Sequence, residues 1–191
     1  MKKLLCVLLS LMLCFSFAAC GKEKGAVSDD SKGTIDAFAS LGEIPELEIK
    51  LGSTPDEAIA FYNTAATEKD NPDLVLGEMV GETAVVLSNG IDSFYYEKQN
   101  AQYGISVIAL TGGTAYGLEI ANTTTKSDVE ALLSAKHTVS VATPEQLFFL
   151  PGVVEGAEVL TCSFENIRLD FFLFDDILSA VTLTNTAYWK D

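Results

Sequence analysis

The chain has 191 residues, 48% of them hydrophobic, with 12 Lys and Arg against 27 Asp and Glu and a formal charge of −15. Such acidity excludes nucleic-acid binding by counterion release, which needs clustered cations, and works against attraction to anionic lipid headgroups. One histidine and four cysteines exclude multi-histidine metal sites and leave little disulfide chemistry.

Lys2 and Lys3 precede an uncharged apolar run from Leu4 to Phe17, which predicts a secretory signal peptide over residues 1–19. The run is shorter than the roughly 20 apolar residues of a membrane-spanning helix. Phe17-Ala18-Ala19-Cys20 resembles the bacterial lipobox. The resemblance implies cleavage before Cys20, a lipid (diacylglycerol, palmitate) on its sulfur, and a cell-membrane location facing the extracytoplasmic side; an ordinary signal peptide cut nearby is the alternative. Cleavage there removes Lys2 and Lys3, leaving ten basic against 27 acidic residues and a formal charge of −17. It also removes Cys6 and Cys14, and with Cys20 lipidated only Cys162 keeps a thiol. No intrachain disulfide is then available, so a hydrophobic core must hold the fold.

Residues 20–44 are rich in Ser, Gly and Asp and are expected to form a flexible tether from the lipidated cysteine. Some twenty such residues would hold the domain on the order of 25 Å from the bilayer. Residues 45–191 are expected to fold as one domain. Within it, Thr54-Pro55-Asp56-Glu57 predicts a helix start, with Thr54 as N-cap, Pro55 at N1 and Glu57 closing a capping box. Thr125-Lys126-Ser127-Asp128 repeats the pattern with a shorter acid. Ala58, Phe61, Tyr62 and Ala65 in the first helix, and Val129, Leu132 and Leu133 in the second, fall at helical spacing and each predict one buried stripe.

Alternating segments follow each helix. Thr83–Ser88 and Ile91–Glu97 flank Asn89-Gly90, and Tyr103–Leu110 and Thr114–Ile120 flank Gly112-Gly113, both predicted hairpins. Val159–Phe164, Arg168–Phe174 and Ile177–Thr184 predict a meander turning at Asp175-Asp176. Ala115–Asn122 also aligns loosely with Leu178–Asn185. The expected fold is therefore α+β: two tandem helix-then-antiparallel-strand units, about 45–120 and 121–191, forming a sheet with helices packed on one face. In the Arg168–Phe174 strand, Leu169, Phe171 and Leu173 should meet the helices, while Arg168, Asp170, Phe172 and Phe174 should line the other face.

Gly52-Ser53-Thr54 followed by Asp56-Glu57-Ala58, a helix and a meander resembles the repeat of small envelope lipoproteins of the SmpA/OmlA outer-membrane-assembly type. Doubled in tandem, it is similar to the β-lactamase inhibitor protein. That resemblance implies a concave sheet for binding, and suggests inhibition of a secreted enzyme as an alternative function.

Few residues suggest catalysis. His137 is expected to close the second helix and complement its dipole, with a Ser-His or Cys-His pair as the alternative. No Gly-x-Ser-x-Gly or Ser-x-x-Lys occurs. Cys162, alternating with Leu160 and Phe164, is expected to be a buried hydrophobe. The acids at Asp29-Asp30, Asp70–Asp73 and Asp175-Asp176 lack calcium-loop spacing and are expected to be solvated turns, so no metal or cofactor is expected. Asp170, Glu119 and Glu165 are the carboxylates that a hydrolase reading would require to converge.

The aromatic runs Phe94-Tyr95-Tyr96, Phe148-Phe149, Phe171-Phe172 and Tyr188-Trp189 place a ring on each face of a strand. The outward ring is either covered by residues 146–156 or exposed as a contact anchor. The functional expectation is a non-catalytic envelope binding module. Its outer sheet face, with Phe172, Phe174, Arg168 and Tyr95, would hold a protein partner or small envelope ligand.

Overall fold

The computed structural model describes residues 34–61, 75–80, 84–99, 104–133, 136–150, 152–153 and 156–188. The signal peptide, Cys20, Asp29-Asp30, Tyr62, Ala65, the loop Asp70–Asp73 and Trp189 lie outside the described residues.

The first element is a helix, α1, over Thr34–Ser40. Its stripe of Ile35, Phe38 and Ala39 has helical spacing, and Ile35 and Ala39 are buried in the main core together with Ile44 and Ile49 of the following loop. The expected tether is therefore contradicted over residues 34–44. Ile35, Ala39 and Ile44 bury enough apolar surface to dock a segment whose polar composition alone suggests disorder.

Helix α2 spans 55–61 in the described residues and starts at the predicted cap: Thr54 Oγ1 accepts from the Glu57 amide at 3.2 Å, and Glu57 Oε2 accepts from the Thr54 amide at 2.7 Å. The approach to this helix is anchored by paired backbones. Gly52 N–H donates to Ile105 O at 2.8 Å and Ile105 N–H to Ser53 O at 2.7 Å. Gly104 is required there, because a Cβ on it would overlap the Gly52 and Ser53 carbonyl oxygens and its φ is +76°.

Among the described residues ten strands follow: β1 Val75–Val80, β2 Ala84–Ser88, β3 Asp92–Glu97, β4 Val107–Leu110, β5 Thr114–Ala115, β6 Leu118–Glu119, β7 His137–Val141, β8 Glu158–Phe164, β9 Ile167–Phe174 and β10 Ile177–Asn185. Helix α3, Lys126–Leu132, precedes β7, and a single helical turn, α4, Pro144–Leu147, follows it. Eight strands form one antiparallel sheet in the order β1-β2-β3-β4-β10-β9-β8-β7. The fold is α+β, and residues 31–191 make one compact unit.

Three local expectations change. Residues 114–120 do not pair with β4, whose neighbours are β3 and β10; they fold back on themselves as β5–β6. Glu46 stabilises that turn by accepting from the amides of Tyr116 at 2.9 Å and Gly117 at 2.6 Å. The aligned pair Ala115–Asn122 and Leu178–Asn185 consequently occupies different sheets. His137 opens β7 rather than closing α3, and its ring lies 3.8 Å from Glu130. Finally, the Asn89-Gly90 turn uses three residues, with Asn89 Oδ1 accepting from both Ile91 and Asp92 amides.

Period-two alternation buries both faces of the sheet. Leu87, Phe94, Ile108, Leu110, Leu160, Cys162, Leu169, Phe171, Leu173, Val181 and Leu183 face α1, α2 and α3, which contribute Ile35, Ala39, Ala58 and Val129. Cys162 is buried there as expected, and burial, reinforced by Asp36 and Asp170, pushes its thiol up to about 11, away from the thiolate.

Candidate functional site

The outer face is built from strand register. One row across the sheet runs Tyr95, Val107, Thr184, Arg168, Ser163; the next runs Ser93, Ala109, Thr182, Asp170, Thr161, Thr138; a third contains Ala180, Phe172, Val159 and Ser140. An apolar patch of Tyr95, Val107, Phe172 and Val159 thus adjoins a ladder of hydroxyls around one carboxylate.

The segment 142–153 covers this face. It follows β7 through Thr143-Pro144-Glu145-Gln146, where Thr143 caps α4, Pro144 occupies the first turn and Gln146 completes the capping box. Phe149 and Leu150 are buried against Tyr95, Val107, Phe172 and Ala180, with Ala142, Leu147 and Val153 at the margin. Tyr95 and Phe149 stack edge-on with centroids 4.9 Å apart, and the Tyr95 hydroxyl donates to Phe149 O at 3.0 Å. We refer to residues 142–153 as the cap.

Beneath the cap, Asp170 is fully buried. Its Oδ1 accepts from Thr161 Oγ1 at 2.5 Å and Gln146 Nε2 at 3.1 Å; its Oδ2 accepts from Arg168 Nε at 2.8 Å and Thr182 Oγ1 at 3.5 Å. Burial raises this carboxyl above its ordinary value, and Arg168, with the bonds from Thr161 and Gln146, opposes the rise. Gln146 links helix capping to sheet docking: the side chain that accepts from Thr143 N at 3.0 Å also reaches Asp170. The arrangement clamps the cap. A carboxylate sealed in this way, with no second carboxylate among its partners, is not presented to a substrate. Glu119 instead accepts from Asn122 at 2.7 Å near the β5–β6 hairpin, and Glu165 lies in the β8–β9 turn.

The predicted binding residues separate accordingly. Phe172 is 0% and Tyr95 2% exposed, so both are core under the cap rather than anchors on an open face. Arg168 is mostly buried and tied to Asp170, with Glu145 of the cap 3.8 Å away. Only Phe174 stands exposed. It sits at the far end of β9, beside a cleft of about 350 Å³ that also touches Lys126, Glu158, Asp175 and Asp176. Cys20 lies outside the described residues. Among the described residues no cluster of three or more His, Cys, Asp or Glu could hold a metal.

What sequence reasoning missed is the cap's own surface. Phe148 is 44% exposed and packs edge-on upon Phe149 at 5.0 Å. With Ala142, Pro144, Leu147, Gly152 and Val153 it lines a shallow groove of about 590 Å³. The signal was present: Thr143-Pro-Glu-Gln146 has the same cap and proline as Thr54-Pro-Asp-Glu57, with Gln146 in the closing position of Glu57.

No protein-family model matches this chain, and no curated protein matches it. Among solved structures it is similar to a DUF4309 family protein (YjgB) from Bacillus subtilis, at 17% identity and a TM-score of 0.46, over 82% of this chain and 99% of the other.

Proposed function

We propose that the chain is a lipid-anchored, non-catalytic binding module of the bacterial envelope, held at the membrane through Cys20 and facing the extracytoplasmic side. Its contact surface lies on the outer side of the sheet, formed by the cap rather than by the strands beneath. The observation that carries this reading is Phe148, an exposed ring supported by a buried one at the head of an apolar groove. Rigid aromatic anchors of this kind are typical of protein contact surfaces. The acidic balance favours a partner protein with a basic face.

Tandem organisation belongs to the same proposal, as does the resemblance to envelope lipoproteins of the SmpA/OmlA type and to the β-lactamase inhibitor protein. In its support, β1–β4 and β7–β10 are each four successive strands after a Thr-capped helix, and they meet at their last members, β4 and β10. The unit boundaries are about 45–120 and 121–191.

The test combines address and contact. Replacing Cys20 by Ala should release the chain from membranes. A photo-cross-linking residue at 148 should give a discrete adduct that is absent from position 123, and Leu147→Ala should abolish that adduct while the chain keeps its circular dichroism. Equal adducts from both positions would overturn the cap as the contact surface, and membrane retention of Cys20→Ala would overturn the anchor.

A further inference from the structure

Two exposed phenylalanines stand at the same end of the sheet. Val141 pairs with Glu158 and Glu158 with Leu173, so the next row runs Ala142, Ala157, Phe174, and the Ala142 amide donates to Ala157 O at 2.9 Å. Ala142 lines the groove that carries Phe148, and Phe174 lines the cleft of about 350 Å³. Two strand spacings, about 10 Å, therefore separate Ala142 in an apolar hollow from Phe174 in a charged one. The cleft holds Glu158, Asp175 and Asp176 against a single cation, Lys126, whose Nζ is already engaged by Glu158 at 2.5 Å. Asp175 and Asp176 are exposed in the β9–β10 turn, and among the described residues neither carboxylate is hydrogen-bonded to a cation.

We infer that groove and cleft form one composite contact surface for a basic segment of a partner protein. An apolar side chain of that segment sits in the groove beside Phe148, and a Lys or Arg head group sits against Phe174, Asp175 and Asp176. The inference rests on the proposed groove and adds the cationic position to it. Charge selects this occupant. A second copy brings the same charge of −15, and nucleic acid or an anionic lipid surface is repelled by the same acids. A purely apolar partner would cover Phe148 and Phe174 but would strip water from Asp175 and Asp176 without compensation. A cation beside an aromatic ring and two carboxylates gains from both, and its opposite charge speeds encounter. In an extended segment, side chains four residues apart share one face about 13 Å apart. The flexible stem of a lysine or arginine absorbs the difference from the spacing of the two hollows.

Defined peptides test it on the full chain. The probe is a short, labelled Ser/Thr peptide carrying a leucine and, four residues on, a lysine. By fluorescence anisotropy it should bind at least ~10-fold more tightly than the same peptide with glutamate in place of the lysine. The double variant Asp175→Asn, Asp176→Asn should erase that preference while still favouring leucine over alanine. Asparagine tolerates the left-handed backbone of these turn positions, φ +49° and +67°, so the variant keeps its fold. Asp56→Asn with Glu165→Gln removes two exposed acids outside the surface and should leave the preference in place. Phe148→Ala should weaken both peptides and keep the preference for lysine. Equal affinity for the lysine and glutamate peptides, or a preference that falls equally in the two double variants, would overturn the inference and leave the groove standing. Indifference to the leucine would overturn the groove as well.

Discussion

Both faces of this sheet carry a buried apolar cluster, but they are sealed by different means. The inner face is covered by three helices whose apolar side chains meet Phe171, Leu169, Leu183 and their neighbours, with Asp36 of α1 near enough to Cys162 to raise its thiol. The outer face is covered by one short segment, and there a carboxylate, a glutamine and hydroxyls share the interface with Phe149 and Leu150. Apolar packing is non-directional and scales with area, so the broad face tolerates small shifts. A twelve-residue cap has less area and depends on directed bonds. It should therefore be the part of the molecule that opens first, below the global unfolding free energy.

The largest expected effect separates the two seals. Phe171→Ala empties part of the inner core and should lower the unfolding free energy by about 3–5 kcal/mol in denaturant titration, with all strands losing protection together. Gln146→Ala removes both the capping-box acceptor and a bond to the buried Asp170, and should cost about 2 kcal/mol. Its signature is local: hydrogen exchange should accelerate in residues 142–153 while β9 and β10 stay protected. Uniform acceleration across the sheet would show that the cap is not a separate unit.

Smaller changes sharpen the contrast. Thr184, on the outer face beside Arg168, buries a hydroxyl without a hydrogen-bond partner among the described residues. Thr184→Val keeps its shape and removes that cost, so a gain of about 1 kcal/mol in thermal or chemical unfolding is expected. The last effect is a slope with pH. Asp170 holds its proton more tightly folded than unfolded, so folding takes up a proton above the ordinary value of 3.8. Stability from this group therefore grows as pH falls from neutral toward about 4 and is lost as pH rises through the raised folded value. Unfolding curves of the parent and Asp170→Asn should accordingly diverge in the parent's favour as pH is lowered. Divergence in the opposite sense would mean that Arg168 outweighs burial.

Much of the fold was legible because its signals are local. Thr54 and Thr125 with their closing acids marked two helix starts, and the alternation of β8, β9 and β10 located three strands within a residue or two. Strand β7 was missed although Val139 and Val141 alternate with Thr138 and Ser140, because the run is only five residues long and His137 reads as the close of the preceding helix. Residues 114–120 misled because their alternation resembles a strand, whereas Glu46, some seventy residues earlier, holds them as a separate hairpin. The candidate site was half legible: alternation set Arg168, Asp170, Phe172 and Phe174 on one face, but whether that face was open depended on a segment with no periodic signal.

By itself, then, the sequence determined the acidity, the scarcity of thiol and imidazole chemistry, the helix caps, and which side of each central strand a residue occupies. These follow from composition and from backbone geometry within a few residues. Tertiary structure alone decided that Ile35, Ala39 and Ile44 join the core, that β4 and β10 meet, and that Tyr95 and Phe172 lie beneath a cap clamped by Gln146 on Asp170. Those outcomes depend on contacts between residues far apart in the chain, where burial and hydrogen bonding with distant partners outweigh local preference.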